Sequence, residues 1–315
     1  MNNEFNENVR PQDDLYNYVN GKWLEKAKIP ADQSSTGGFI DLDNAVEKTM
    51  IKELKSLSKK EVKDPLLNKA VTLFKKVEDE ESKKKGTEYL LNKVDYLDTI
   101  KSKEDFSRAF YYMYDNNYPL PIQLGVSEDM EDATHYSLIA TSPSIILPDT
   151  TMYETERGKA LLDVFKKMMV SILDRLNVPN SSEIAAKAMS FDEKISKIVK
   201  SQEEWVDYIK FNNPYALDKF ASLVNFDFLG FVASRFGKLP SKVVVYDPRY
   251  FDNYLSLMEG NINEFVAWAK VMLIKQNFAY LGEEERKLAS TYSMALTGAK
   301  GISSLDKYAY RLVDK

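Results

Sequence analysis

The chain has 315 residues, 44% hydrophobic and 29% charged, enough apolar content for a folded core and enough charge for a water-facing surface. With 43 Lys and Arg against 48 Asp and Glu the net charge is -5, which argues against nucleic acid or an anionic membrane as a partner. Cysteine is absent, which removes disulfides, thiolate metal sites and cysteine nucleophiles together and points to the cytoplasm.

Met1 to Arg10 is polar and lacks the apolar stretch of a secretory signal, and no run approaches the ~18 apolar residues of a membrane span. The next segment, PQDDLYNYVNGKWL from Pro11 to Leu24, sets Leu15, Tyr16, Val19, Trp23 and Leu24 at helical spacing. Asn20-Gly21 is expected to bend the chain there, and the aromatic residues to bury themselves as an anchor. From Asp43 onward Val46, Met50, Leu54 and Leu57 form one stripe, predicting an amphipathic helix that faces a core. Asp64-Pro65 supplies a cap and a first-turn proline for a second helix with Leu66, Ala70, Phe74 and Val77 inward. Lys83-Lys84-Lys85 before Gly86 reads as a solvated helix end.

Ser102 and Asp105 resemble a capping box ahead of Phe106, Ala109, Phe110 and Met113, and Asn116-Asn117-Tyr118-Pro119 closes that helix. Between Leu120 and Leu147 the period shortens, and two extended stretches separated by acidic turn residues predict one β-hairpin. Helical spacing returns in Leu161, Phe165, Met168, Ile172 and Leu176, then in Ile184, Ala188, Phe191, Ile195 and Ile198. Val243-Val244-Val245-Tyr246 is a short β-branched run before Asp247-Pro248, and Asn261 opens a helix carrying Phe265, Trp268, Met272 and Gln276. Leu288, Tyr292, Ala295 and Leu296 extend the pattern. The last stretch, from Ser303, sets Tyr308, Ala309, Leu312 and Val313 at helical spacing and stops without a glycine or asparagine cap, as a helix cut short would. The expected fold is mainly α, a multi-helix lobe with a small β-hairpin.

The chemistry legible in these residues is sparse. Hydrolytic zinc needs three protein ligands, and the helical HExxH arrangement supplies two histidines one turn apart. The chain has one histidine, His135, placed at the start of the second predicted strand. A Ser-His-acid triad would need the same residue, and no G-x-S-x-G elbow surrounds a serine. Gly37-Gly38 lacks the spacing and lysine of a phosphate loop. The acidic groups Asp13-Asp14, Glu203-Glu204 and Glu283-Glu284-Glu285 read as solvated faces or caps. No metal and no cofactor is expected in this chain.

The opening PQDDLYNYVNGKWLEKAKIPADQSSTGGFIDL resembles the start of the neprilysin-type zinc metallopeptidases, particularly their bacterial oligopeptidase O branch. IILPDTTMY at 145–153 and VVVYDPRY at 243–250 agree with that family in order. The resemblance implies two helical lobes around a central cavity, with zinc held by the later half of the longer chain. It also implies that this sequence is the earlier half only, inactive alone, with the C-terminal catalytic half and oligopeptides as partners. Residues 1–42 would then be an anchoring segment and Ser/Gly-rich loop, and 43–315 a lobe that gates substrate entry. Aligned on Ile29-Pro30 and Phe39, Ser35 stands where mammalian relatives carry a carboxylate-binding arginine, and Ile40 where they carry an acid. Serine offers no bidentate charged fork, so release of dipeptides is not carried over. Ser35, Thr36, Gly37, Gly38 and Phe39 would line the cavity and hold an extended peptide through exposed amides, or form an ordinary loop. Two other readings stay open: a free-standing peptide-binding helical protein, and a metal-independent hydrolase using carboxylates.

Overall fold

The computed structural model describes residues 5–314. Among them the helices run α1 Leu15–Leu24, α2 Gly38–Leu57, α3 Pro65–Glu78, α4 Glu80–Leu97 and α5 Lys103–Asp115. A hairpin follows, β1 Gln123–Glu128 and β2 Tyr136–Thr141, then α6 Glu156–Arg175 and α7 Ser181–Ser196. The remainder is β3 Pro214–Tyr215, α8 Leu217–Ala221, α9 Phe228–Phe236, β4 Val243–Val245, α10 Pro248–Met258, α11 Ile262–Gln276, α12 Glu283–Thr297 and α13 Leu305–Val313. The fold is mainly α, and no described helix is long and apolar enough to cross a membrane.

Local signals set several boundaries. The Asp64 carboxylate accepts from the Leu67 amide at 2.7 Å, and Pro65, with no N–H to satisfy, begins α3. Ser102 Oγ accepts from Asp105 N at 3.1 Å to cap α5, which ends where Asn117 turns left-handed at φ 54°. Phe106, Ala109, Phe110 and Met113 are buried as their spacing predicts, and so are Leu161, Phe165, Met168 and Ile172 on α6.

The chain divides into two compact units. One joins the residues up to Glu80 with those from Ser293 onward; the other is Glu81–Tyr292. Residues 43–80 therefore group with the opening segment. In the first unit α13 completes the core: Ala309, fully buried, packs with Leu54 of α2 and with Val71, Phe74 and Val77 of α3. Glu47, almost inaccessible on α2, receives Arg311 Nε at 2.7 Å and lies 3.4 Å from Lys307 Nζ, so two cations of α13 fix its rotation. Just before α13, the amides of Lys300 and Gly301 both donate to Ala31 O, at 2.9 and 2.7 Å.

The second unit is built on α11, whose residues from Phe265 through Ile274 are all buried. Phe265 meets Phe106 edge-on at 5.1 Å between centroids, and Phe191 of α7 packs on both Phe265 and Trp268. The hairpin is the expected one, with Gln123 opposite Thr141 and Glu128 opposite Tyr136. It belongs to a larger sheet of order β1-β2-β4-β3, in which β4 runs parallel to β2 and antiparallel to β3. The run Val243-Val244-Val245 is buried throughout, as an inner strand covered on both faces must be.

Four expectations are corrected. Asn20-Gly21 does not bend the chain: it lies inside α1, where a Cβ on Gly21 would meet Asn6 Nδ2 at 2.7 Å. The α1 apolar face is only partly covered: Leu15, Tyr16, Val19 and Leu24 are exposed, and Trp23 is half-buried. On α2 Val46 and Met50 are exposed, and the core is met a quarter-turn away, through Glu47 and Leu54; Leu66 of α3 also faces out. Lys83-Lys84-Lys85 is no helix end but lies within α4, with Lys83 buried.

Because Ala309 has no space or polar partner for a charge, Ala309→Glu is expected to cost more than about 3 kcal/mol in urea unfolding. Lys55→Ala, which removes the exposed ion pair with Asp306, should cost about 1 kcal/mol or less.

Candidate functional site

The segment Ser35 to Phe39 leads into α2. Gly37 is the N-cap residue with extended backbone, φ 170°, and makes no side-chain cap; its carbonyl accepts from Asp41 N at 2.8 Å. A Cβ added at Gly37 or Gly38 would meet nothing within 4 Å, so packing does not demand glycine there. Gln33 Nε2 donates to Asn44 Oδ1 at 2.8 Å and ties the segment to α2. Ser35, Gly38 and Phe39 are exposed, and Thr36 and Gly37 are half-buried. These five residues form one continuous stretch of surface, while the three clefts described below are lined by others.

His135 sits in the β1–β2 turn, exposed, with Nδ1 2.8 Å from Asp132 Oδ2 and 3.1 Å from Thr134 Oγ1. Its partners are those of a turn. Among the described residues no three His, Cys, Asp or Glu side chains are grouped to hold a metal, so the residues present do not fit a zinc centre. The acidic groups are caps and ion pairs. Asp14 caps α1 through Asn17 N, and this hydrogen bond holds its carboxyl below the usual range. Glu204 pairs with Arg249, Glu283 with Arg286, Glu284 with Lys287 and Glu285 with Arg175.

The two family-like stretches of the second unit are clamps around buried carboxylates. Asp192, fully buried on α7, accepts from Ile146 N at 3.1 Å, from Trp268 Nε1 at 3.3 Å and from the Tyr153 hydroxyl. Tyr292 O–H donates to Ile146 O at 2.8 Å from the other side. Asp247, also fully buried, caps α10 and accepts from Lys200 N at 3.0 Å, and desolvation raises its pKa. Arg249 Nη2 reaches Val199 O at 2.5 Å, and Tyr250 O–H donates to Pro121 O. Clefts of about 460 Å³ and about 400 Å³ share Gln123, Pro143 and Ser144 at one end of the hairpin. A third, of about 610 Å³, carries Lys200, Glu204, Asp207, Lys210 and Arg249.

The helical fold agrees with what the chain is similar to. The model of peptidase family M13 matches residues 11–315, and the chain belongs to that family. It is 34% identical over 319 residues to a neutral endopeptidase of Lactobacillus helveticus, covering 98% of this chain and 49% of that protein. Among solved structures it is similar to PepO of Lactobacillus rhamnosis, with TM-score 0.88 and 27% identity over 97% of this chain and 50% of that one. A zinc metalloprotease of Mycobacterium tuberculosis solved with an inhibitor shares the fold, with TM-score 0.85 and 22% identity over 99% and 49% of the two chains. The chain thus spans about half the length of the relatives it matches, and corresponds to their N-terminal half.

Asp192 is a functional-looking group that periodicity alone did not single out; the one signal was an acid on the core face of α7, between Ala188 and Ile195. Burial pushes its carboxyl up to about 6, against hydrogen bonds from Tyr153, Ile146 and Trp268 that favour the charged form. The folded-state value exceeds the unfolded one, so this contribution to stability is fully present below about pH 4 and is lost as pH rises through about 6. The stability of wild type relative to Asp192→Asn should therefore fall by about 2–3 kcal/mol between pH 4 and 7 in chemical unfolding. Asp192→Ala, which orphans three buried donors, should cost about 3 kcal/mol or more at either pH.

Proposed function

We propose that the chain is the N-terminal, non-catalytic portion of a neprilysin-like zinc metalloendopeptidase that cleaves oligopeptides. In this reading the second, self-contained helical unit helps enclose the substrate cavity and admits only peptides small or flexible enough to enter. Zinc and its ligands belong to a C-terminal half that this sequence does not include. The observation that carries the reading is the family match across residues 11–315 combined with coverage of only half of each relative.

Within the reading, Ser35, Thr36, Gly37, Gly38 and Phe39 face the bound peptide. The exposure of Ser35, Gly38 and Phe39, and the open space over both glycines, would let an extended backbone approach the amides at the start of α2. With Ser35 in place of a cation there is no charged anchor for a free peptide C-terminus, so internal bonds of longer peptides are the expected targets. The cysteine-free composition supports a cytoplasmic location.

The test is reconstitution. Mixed with the C-terminal half of the Lactobacillus helveticus relative, which would bring the zinc ligands, the 315-residue chain is expected to support chelator-sensitive cleavage of an internally quenched peptide of about ten residues. Neither part alone should do so. Inactivity of the stable, assembled pair would overturn the reading. Gly37→Val with Gly38→Val, which places side chains over the amides, is expected to raise KM at least about fivefold with little change in thermal stability.

A further inference from the structure

The first unit exposes as many large apolar side chains as the second, which is about twice its length. Four of them lie in one row on α2: Phe39 is 91% exposed, Leu42 61%, Val46 47% and Met50 43%. Their spacing of three and four residues puts them on one stripe of the helix. The row continues into Leu54, one turn after Met50, which with Glu47 meets the unit's own core, so it is the N-terminal part of the row that stays outside. An amphipathic helix normally turns its apolar stripe inward, so the part of it left outside marks a contact that the described residues do not supply.

We infer that the part of this outward row beyond the peptide-facing Phe39, namely Leu42, Val46 and Met50 of α2, is the seat of the polypeptide that follows residue 315 in proteins of the relatives' length. The inference rests on the proposed function, which supplies that C-terminal half. Two observations select this occupant. The relatives carry about as much chain again as is matched here. And α13, whose last described residue is Asp314, packs on α2 and α3 within the same unit, so a continuing chain leaves from the body that bears the row. Tethering of that kind raises the local concentration of the following segment and favours a contact close to its point of departure. Asp43 and Glu53, exposed three residues from Val46 and from Met50 on the same face, put acidic groups beside the row, which suits the polar rim of a protein contact better than a surface for anionic lipid.

The absence of cysteine makes a direct footprint possible. Val46→Cys, Met50→Cys and, as a control, Val206→Cys, which is 77% exposed in the second unit, each give one thiol. Maleimide labelling is followed by mass spectrometry on the 315-residue chain, alone and mixed with the C-terminal half of the Lactobacillus helveticus relative. In the mixture, labelling at 46 and 50 is expected to slow by about tenfold or more while 206 changes by less than about twofold. If the two parts associate and cleave peptide but 46 and 50 label as fast as in the free chain, the seat is wrong and the proposed function stands. If they do not associate, both fall. Slowing at 46 in the free chain that grows with its concentration would assign the row to a second copy and overturn the proposal.

Discussion

The first unit depends on a long-range closure. Leu54, Val71, Phe74 and Val77 come from two helices near the start of the chain, and the residue that fills the space between them, Ala309, comes from near its end. Glu47 and Arg311, 264 residues apart, meet in the same place. Closing so long a loop costs little more than closing one half as long, because the entropy grows only with the logarithm of length. What the closure demands is specificity, and the nearly inaccessible Glu47 provides it: a carboxylate removed from water must find its cations, so α13 has one rotation that satisfies Arg311 and Lys307 together. The small side chain at 309 then lets α13 approach the aromatic ring of Phe74.

The second unit is organised from inside outward. A helix buried on every side cannot be amphipathic, and α11 is so buried from Phe265 to Ile274, with Lys270, paired to Asp98, the one charged side chain in that run. Such a helix has few polar features to fix its register, and Trp268 supplies one by donating to Asp192. The same carboxylate takes the amide of Ile146 and the hydroxyl of Tyr153, so one residue of α7 gathers α11 and the irregular stretch after β2. Asp247 performs the same task for Lys200 and the start of α10. Of the stretches that look like family signatures in the sequence, 145–153 carries partners of Asp192 and 243–250 carries Asp247 itself.

How much of this was legible follows from what each signal reports. Periodicity reports an apolar stripe and leaves open what covers it. Where the cover is the unit's own core, as for α5, α6 and α7, stripe and burial coincide; on α1 and α2 they part, and Val46 and Leu15 were misplaced for that reason. Caps are strictly local, so Asp64 and Ser102 were readable from three or four residues. The partnership of β4 with β2 joins positions more than a hundred residues apart and leaves no local trace beyond a short β-branched run. Ser35 to Phe39 were identified through resemblance; their surroundings in the described chain are open, which composition and spacing had no means to reveal.

The misplaced stripes carry more than error. Both occur in the first unit, and the one on α2 is not explained by weak amphipathicity, since that stripe is as regular as those on α5 or α6. In a unit whose core is complete, evolution gains nothing by keeping Phe39 or Leu42 apolar at the surface, because exposed large apolar rows promote association. The second unit, with α11 sealed and its acids satisfied, shows no such disagreement between pattern and burial among its core helices. The two units therefore differ in kind: one is closed around its own interior, and the other is folded yet still presents a core-type face. On the proposed reading that difference is a division of labour, in which the self-sufficient unit serves as a wall of the cavity while the other carries the peptide-facing segment before α2 and a face for the portion of the enzyme that holds the metal.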